Sequence, residues 1–372
     1  MSVVSAAKGE SKTSSVSKHI EAYFKYMHDQ GASDLHIASG SVPMIRRFGE
    51  MVKIGEQPLG PGQVVTMMKE VMPVDDIRKL AALKNVDFAV AWADPGPLQG
   101  RRYRGNAYIQ KNGPNLCFRA ITSKIPTLAE LGLPPDLAKM AEFHQGLILV
   151  TGATGSGKSS TMAAIINLIN ETRNGHIITI EDPIEFVHQS KKCLVNQREV
   201  GRDVESFQLA LKGALREDPD VILVGELRDL ETIQLAVTAA ETGHVVFGTL
   251  HTSSAAKTID RLIDSFPGEQ QAQVRTMLSE SLRGVIAQQL VPRADGKGRV
   301  AAIEVLIGNL PVANLIREGK TFQLPMMMQI GRSQGMVLMD DYLSELVKQG
   351  LITEEDARSR GQGKGEQKAG AK

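Results

Sequence analysis

Hydrophobic residues between positions 138 and 266 follow two alternating patterns. Short, almost continuous apolar runs (ILVT, HIITIE, VILVG and VVFGTL) are separated by segments in which apolar residues recur at every third or fourth position. The continuous runs are typical of strands buried on both faces of a parallel sheet, and the wider spacing is typical of helices that pack on those faces. An α/β fold, a parallel sheet wrapped by helices, is therefore predicted for this part of the chain.

The strand pattern fades beyond Phe266. In QAQVRTMLSESLRGVIAQQL the spacing of apolar residues predicts a helix, and AAIEVLI predicts one last strand. The C-terminal part of the core is therefore expected to be largely helical. The residues that carry the helical spacing are Val274, Met277, Leu278, Leu282, Val285, Ile286 and Leu290.

Residues 19–121 show a mixed pattern that predicts a separate, small α+β domain. Helices are expected near IEAYFKYMHDQ and QVVTMMKEVM, and strands at DLHIA, PMIRRF, VDFAVAW, YRGNAYI and NLCFRAI. Residues 122–137 concentrate prolines and are interpreted as a linker to the α/β domain, residues 138–358. Residues 1–18 and 359–372 are small, polar and aperiodic, so they are predicted to be disordered tails.

Composition narrows the choice of partner and compartment. The chain has 43 Lys and Arg against 42 Asp and Glu and only 4% aromatic residues, which argues against a nucleic acid partner. Its two cysteines, Cys117 and Cys193, lack metal-ligand spacing and indicate a reducing compartment. Neither a signal peptide nor an apolar run of membrane-spanning length is evident, so a cytoplasmic protein without membrane insertion is expected.

The first candidate site is a glycine-rich loop in LVTGATGSGKSS, which fits the pattern G-x-x-x-x-G-K-[ST]. Glycines let backbone amides turn toward phosphate oxygens, Lys158 reaches the β and γ phosphates, and the Ser159 hydroxyl can bind Mg²⁺. A strand precedes the loop and a helix follows it, so a plain glycine turn is the weaker reading. ATP with Mg²⁺ is the predicted ligand, and the predicted binding residues are Thr154, Gly155, Ser156, Gly157, Lys158, Ser159 and Ser160.

Two acidic segments follow predicted strands. Glu226 in DPDVILVGELRD stands where nucleotide hydrolases bring a carboxylate to magnesium. In IITIEDPIEFVH a predicted strand ends at three acids, Glu181, Asp182 and Glu185, and a carboxylate there could act as general base on the attacking water. A solvated acidic turn is the alternative for the second segment.

Two histidines flank the last strong strand pattern, in ETGHVVFGTLHTSS. His251, at the end of the run, is interpreted as a sensor of the γ phosphate. His244 precedes the run, and the two are not spaced as a helical metal pair. A structural role is the alternative for each.

Taken in this order, the four motifs resemble those of the secretion ATPases of type IV pilus and type II secretion machines, and most closely the PilT-type pilus retraction ATPases. TAAETGHVVFGTLHTSSAAKTIDR is a more specific match than the phosphate loop. The resemblance implies that Glu185 is the general base, that Glu226 with Ser159 holds magnesium, and that His244 and His251 form a catalytic histidine box. It also implies a homohexamer whose subunits pair a PAS-like domain, residues 19–121, with a RecA-like ATPase domain, residues 138–358.

The same resemblance assigns catalytic roles to Arg102, Arg104 and Arg119, which would reach a neighbour's nucleotide. Surface charge on strands is the alternative. One motif departs from the family: PVANLIRE replaces AIRNLIRE, so Ala313 stands where the family has an arginine.

The resemblance implies a motor that powers pilus retraction, pilin depolymerisation and twitching motility from the cytoplasmic side of the inner membrane, at the pilus base. Its implied partners are an inner-membrane platform protein and a paralogous retraction ATPase. A PilU-type accessory ATPase is the nearest alternative. An assembly or type II secretion ATPase is more distant, since such relatives usually carry a tetracysteine insertion. A small-molecule kinase, a nucleotide-gated regulator and a DNA-translocating ring are disfavoured.

Overall fold

The computed structural model describes residues 19–47, 50–121 and 124–361. The chain divides into two compact units, Met1–Ser123 and Lys124–Lys372. The tails predicted to be disordered lie outside the described residues, apart from residues 359–361, where the last helix continues to Arg360. Among the described residues, no helix combines the length and the apolar character needed to cross a bilayer.

The N-terminal unit is built on an antiparallel six-stranded sheet of order β3-β2-β1-β6-β5-β4. Its helices bury one apolar face each; in the first, Ile20, Phe24 and Met27 are fully covered, and Phe24 stacks on Tyr103 with ring centroids 3.9 Å apart. The elements are α1 His19–Asp29, β1 Asp34–Ala38, β2 Met44–Arg47, β3 Glu50–Lys53, α2 Pro61–Val71, α3 Val74–Leu83, β4 Asn85–Ala91, β5 Arg102–Gln110 and β6 Gly113–Ile121.

The C-terminal unit contains a seven-stranded sheet of order β13-β12-β7-β11-β10-β8-β9. All neighbours are parallel except β13, which runs antiparallel to β12. Its strands are β7 Gly146–Thr151, β8 Gly175–Glu181, β9 Cys193–Glu199, β10 Val221–Val224, β11 Val245–Leu250, β12 Leu282–Pro292 and β13 Arg299–Ile307. Its α-helices are α4 Lys158–Thr172, α5 Phe207–Ala214, α6 Leu230–Glu241, α7 Ala255–Asp264, α8 Gly268–Ser281, α9 Leu310–Arg317, α10 Leu324–Ile330, α11 Met339–Lys348 and α12 Glu354–Arg360.

This arrangement confirms the predicted α/β class and shows why the four apolar runs are continuous. Every residue of β7, β10 and β11 is buried, because helices cover both faces of the sheet. The carboxyl ends of parallel strands share one edge of a sheet. The loops after β7, β8, β10 and β11 therefore come together there, as ligand-binding loops do in open α/β sheets.

The prediction of a helix through QAQVRTMLSESLRGVIAQQL was wrong in its second half. Helix α8 ends at Ser281, and Leu282 begins strand β12. This strand lies between β7 and β13 and is buried on both faces, so its apolar residues do not alternate. Such a run is also compatible with helical spacing, and periodicity alone cannot separate the two. The predicted strand AAIEVLI is confirmed as part of β13.

Candidate active site

A cavity of about 250 Å³ opens at the carboxyl ends of β7, β8, β10 and β11. It brings together groups that lie far apart in sequence: the glycine-rich loop, the acidic loop after β8, and the residues that follow β10 and β11. The predicted site residues that line it are Thr154, Gly155, Lys158, Ser159, Glu185, Glu226 and His251.

The glycine-rich loop has a backbone that other residues would not readily adopt. Gly152, Gly155 and Gly157 have φ values of 142°, 76° and 89°, in the region open mainly to glycine. Gly157 leads directly into α4, whose first N–H groups and dipole favour an anion. The buried Oγ of Ser156 has no hydrogen-bond partner among the described residues. A glycine-rich turn that leads directly into a helix start is what a phosphate chain requires.

Lys158 supplies the positive charge of the loop. Its Nζ donates to the carbonyls of Gly152 at 2.8 Å and Ala153 at 3.1 Å, which keeps the ammonium folded over the loop. Burial lowers the pKa of Lys158, and the nearby carboxylates of Glu226 and Glu185 oppose that shift. An ammonium has three donors, so one remains for an anion in the cavity.

Glu226 follows β10 and lies in a cluster of positive groups. Its Oε2 is 2.6 Å from Nη2 of Arg228, and its Oε1 is 3.1 Å from Nε2 of His251. Burial alone would raise the pKa of Glu226. The hydrogen bond and charge of Arg228, with the charges of His251 and Lys158, outweigh burial and lower it. The side chain is therefore a carboxylate at neutral pH.

A magnesium ion would fit between this carboxylate and the loop. Carboxylate and hydroxyl oxygens are its preferred ligands, and at nucleotide sites it binds through one or two protein groups plus phosphate oxygens. Glu226 and Ser159 both line the cavity and supply that donor set. The described residues contain no group of three or more His, Cys, Asp or Glu side chains able to hold a metal unaided. The phosphates would complete the coordination.

Two carboxyl groups at the acidic loop after β8, those of Glu181 and Glu185, lie in different environments. Glu181 is held by Thr179 Oγ1 at 2.7 Å and by Gln197 Nε2 at 3.3 Å. Burial raises the pKa of Glu181 more than these hydrogen bonds lower it. Glu185 is exposed on the cavity wall, where a water can reach it. Of the two, Glu185 is the carboxyl group that water in the cavity can reach, whereas Glu181 is held by side chains of β8 and β9.

The two predicted histidines lie at opposite ends of β11. His251 follows the strand, lines the cavity and contacts Glu226. His244 precedes the strand, and its Nδ1 lies 3.1 Å from the carbonyl of Ala239 at the end of α6. An extended strand carries its two ends to opposite edges of the sheet. Within this unit the structure therefore separates the pair and gives His244 a structural contact.

The three predicted arginines belong to the N-terminal unit and share one face of its sheet. Arg102 and Arg104 are two residues apart on β5, and Arg104 is paired in register with Arg119 on β6. Nε of Arg119 lies 2.7 Å from Oδ1 of the buried Asp34. Burial raises the pKa of Asp34, but hydrogen bonds from Ser33 and Arg119, with the charge of Arg119, lower it overall. Arg104 is exposed.

Among the residues that sequence reasoning missed at the site, Arg228 and Gln288 contact its predicted groups directly. Arg228 lies two residues after Glu226 and forms an ion pair with it. Both residues are visible in the motif GELRD, so the sequence did contain a signal for Arg228. Gln288 on β12 hydrogen-bonds the glycine-rich loop from behind. The apolar spacing around it predicts a helix instead of strand β12, so no signal points to it. Of the other predicted loop residues, Ser156, Gly157 and Ser160 lie in or just after the loop, outside the lining of the cavity.

Comparisons with known proteins agree with this geometry. Residues 110–350 match the family described as type II/IV secretion system protein. The chain is 52% identical to the type IV pilus retraction ATPase PilT of Pseudomonas aeruginosa over 331 residues, 89% of this chain and 94% of that protein. It is 43% identical to the type IV pilus ATPase PilU of the same organism, over 91% of this chain and 87% of that protein. A crystal structure of the pilus retraction motor PilT with bound ADP superposes with a TM-score of 0.86 at 46% identity, covering 93% of this chain and 97% of that one.

Proposed function

The chain belongs to the type II/IV secretion system protein family, and from that membership and its active-site cavity we infer that it is a pilus retraction ATPase. It hydrolyses ATP and uses the energy to withdraw pilin subunits, which drives twitching motility. The observation that carries the proposal is the single cavity in which the glycine-rich loop, Glu185, Glu226 and His251 meet. The identity to the retraction ATPase, 52%, exceeds the 43% to the PilU-type alternative.

The predicted site residues in the cavity have different roles in ATP hydrolysis. Loop amides and Lys158 bind the phosphates and offset their charge, which grows during phosphoryl transfer. The exposed carboxylate of Glu185 accepts a proton from the attacking water. Magnesium, held by Ser159 and Glu226, would neutralise phosphate charge. His251 is joined to Glu226, so it can report the state of the phosphates to α7, which starts shortly after it.

The ring would complete this site. We take the active form to be a homohexamer in which a PAS-like N-terminal domain and a RecA-like ATPase domain alternate around the ring. Arg102, Arg104 and Arg119 then reach the nucleotide of a neighbouring subunit and stabilise the charge that develops on the γ phosphate. Supplying that cation from a different domain couples turnover to domain movement.

The mechanical work requires a partner at the membrane. The proposed location is the cytoplasmic face of the inner membrane at the pilus base. There the moving domains act on a platform protein, with a paralogous retraction ATPase as a further partner. The nearly balanced charge, 43 basic against 42 acidic residues, provides no overall basic field to attract nucleic acid.

Deleting the gene and watching single pili by fluorescence tests the function. The expected cell is hyperpiliated and does not retract its pili, and the wild-type gene restores retraction. A Glu226→Gln gene should fail to restore it. The control is Glu231→Gln, which removes an exposed carboxylate nearby on α6 and should complement fully. Normal retraction in the deletion strain would show that this chain is not the retraction motor.

A further inference from the structure

Gln288 lies in the interior of β12, next to the strand that carries the glycine-rich loop. Strands β12 and β7 are parallel neighbours, with Ala287 paired to Thr151, the last residue of β7. Gln288 is 5% exposed. The sheet therefore places this side chain directly behind the loop, away from the cavity that would hold nucleotide.

Both ends of the Gln288 amide are used. Its Nε2 donates to the carbonyl of Ser156 in the loop at 2.8 Å. Its Oε1 accepts from the Thr161 hydroxyl, in the first turn of α4, at 2.7 Å. Both hydrogen bonds are buried, where leaving either partner unsatisfied is costly. One side chain thus fixes the loop relative to the helix that follows it.

The loop is also closed around this residue sterically. A Cβ atom on Gly152 would lie 2.1 Å from the backbone oxygen of Gln288, and one on Gly157 would lie 2.7 Å from its Nε2. Close approach to the β12 backbone thus requires a glycine at Gly152, and Gly157 leaves room for the Gln288 amide, in addition to their backbone angles. With its inner side held in this way, the loop has few ways to turn its amides away from the cavity.

We propose that Gln288 is a positioning residue that holds the glycine-rich loop in its phosphate-binding conformation before nucleotide arrives. It acts through Ser156 and Thr161 and does not touch the ligand. Affinity depends on it, because a loop that is competent only part of the time binds more weakly in proportion to that fraction. The glutamine amide donates to a carbonyl and accepts from a hydroxyl at once, whereas methionine of similar size has no donor and only a weak acceptor. The inference rests on the proposed nucleotide site.

The test compares Gln288→Met with Gln289→Met in the full-length protein. Gln289 is the next residue of the strand, and its amide donates instead to the carbonyl of Arg360 at 3.3 Å. ADP titration followed by calorimetry should give a dissociation constant about tenfold higher for Gln288→Met and one close to wild type for Gln289→Met. The KM for ATP should rise in parallel while kcat at saturation changes little, because bound phosphates then order the loop. Equal affinities in the two variants, or a fall in kcat with KM unchanged, would overturn the inference.

Hydrogen exchange in nucleotide-free protein separates positioning from general destabilisation. Amides of residues 153–157 should exchange faster in Gln288→Met, with exchange in β10 and β11 unchanged. If Gln288→Met does not fold, Thr161→Val removes only the hydroxyl that donates to Gln288 Oε1 and should raise the ADP dissociation constant severalfold. Unchanged affinity in Thr161→Val, with unchanged loop exchange, would count against the role.

Lys158→Ala distinguishes failure of this inference from failure of the proposed site. If Lys158→Ala binds ADP as wild type does, the nucleotide site itself is misassigned. If Lys158→Ala loses binding and Gln288→Met keeps it, the site stands and only the role of Gln288 is rejected.

Discussion

The two units place their charged residues in different ways. In the parallel sheet of the C-terminal unit, β7, β10 and β11 are buried throughout, and polar chemistry begins where the strands end. In the antiparallel sheet of the N-terminal unit, buried and accessible residues largely alternate, and the arginines stand along a sheet face. In the C-terminal unit, the candidate site residues follow the carboxyl ends of strands. In the N-terminal unit, a charged residue on a strand face can act on a ligand only when another subunit or molecule binds to that face.

The largest expected effect on nucleotide binding is at the strand-end site. Lys158→Ala should weaken ADP binding by at least about 30-fold, because it leaves phosphate charge without its main cation. Isothermal titration of the purified protein measures this. Lys192→Ala, which removes an exposed lysine elsewhere in the same unit, is the control. Arg104→Ala should leave ADP affinity near wild type in dilute, unassembled protein. A comparable loss there would break the contrast between the two units.

The carboxylates should affect turnover without affecting binding. Glu185→Gln and Glu226→Gln are each expected to lower ATP hydrolysis by about 100-fold or more, the usual effect of losing a catalytic base or a comparable group. Both variants keep the phosphate loop, so ATP should remain bound. Phosphate release and filter binding of labelled ATP measure the two quantities. Normal hydrolysis by Glu185→Gln would move the role of base to Glu181 or Asp182.

Complementation between subunits tests whether the arginines of the N-terminal unit complete the active site of a neighbouring subunit. Arg104→Ala and Glu226→Gln proteins, each inactive, are mixed under conditions that allow subunits to exchange. If the arginine acts on a neighbour, some interfaces regain an intact Arg104 and an intact Glu226, and ATPase activity returns. Mixing wild-type protein with increasing amounts of each variant measures how strongly one inactive interface lowers the ATPase activity of the other interfaces. If the monomer hydrolyses ATP at the full rate, the arginines have no catalytic role and are only surface charges.

The pH dependence of stability should differ in sign between the units. The pKa of Asp34 is lowered in the folded chain, so its ion pair with Arg119 stabilises at neutral pH and is lost as pH falls from about 3.9 through the folded value. The pKa of Glu181 is raised, so its contribution is greatest in acid and is lost as pH rises through the folded value. Asp34→Asn should cost about 1 kcal/mol at pH 7, a difference that shrinks in acid. Thermal unfolding between pH 3 and pH 7 checks both signs.

The smallest effect is expected at His244, which lies at the opposite end of β11 from the cavity. His244→Ala should change ATP turnover by less than about threefold, whereas His251→Ala, which removes a contact to Glu226, should lower it by about tenfold or more. Steady-state ATPase assays of the two variants decide this. A larger loss at His244 would mean that its edge of the sheet meets a catalytic group in the assembled protein.

The sequence could predict those features that are visible within a short stretch of residues, and it could not predict those that depend on how distant strands pair. The phosphate loop, Glu226 and His251 each follow a continuous apolar run, so the strand pattern and the chemistry indicated them together. Among the three acids at the end of β8 and just after it, the family resemblance alone singled out Glu185. Strand β9 was missed because it lies at the edge of the sheet and its second half, NQRE, is polar. Strand β12 was missed because burial on both faces removes the alternation that marks a strand. Gln288 has no local signal, since its importance arises only when β12 pairs with β7.

The position of β7 in the interior of the sheet also has a consequence for how the chain folds. Its residue Ile148 pairs on one side with Phe247 and on the other with Gly284, both distant in sequence. During synthesis from the N-terminus, this apolar strand lacks its second neighbour until β12 has been made. Pairings over such separations are slow to form, and an unpaired apolar strand edge is open to aggregation. A chain truncated before Leu282 should therefore accumulate in inclusion bodies, and the full-length protein should refold slowly and with help from chaperones.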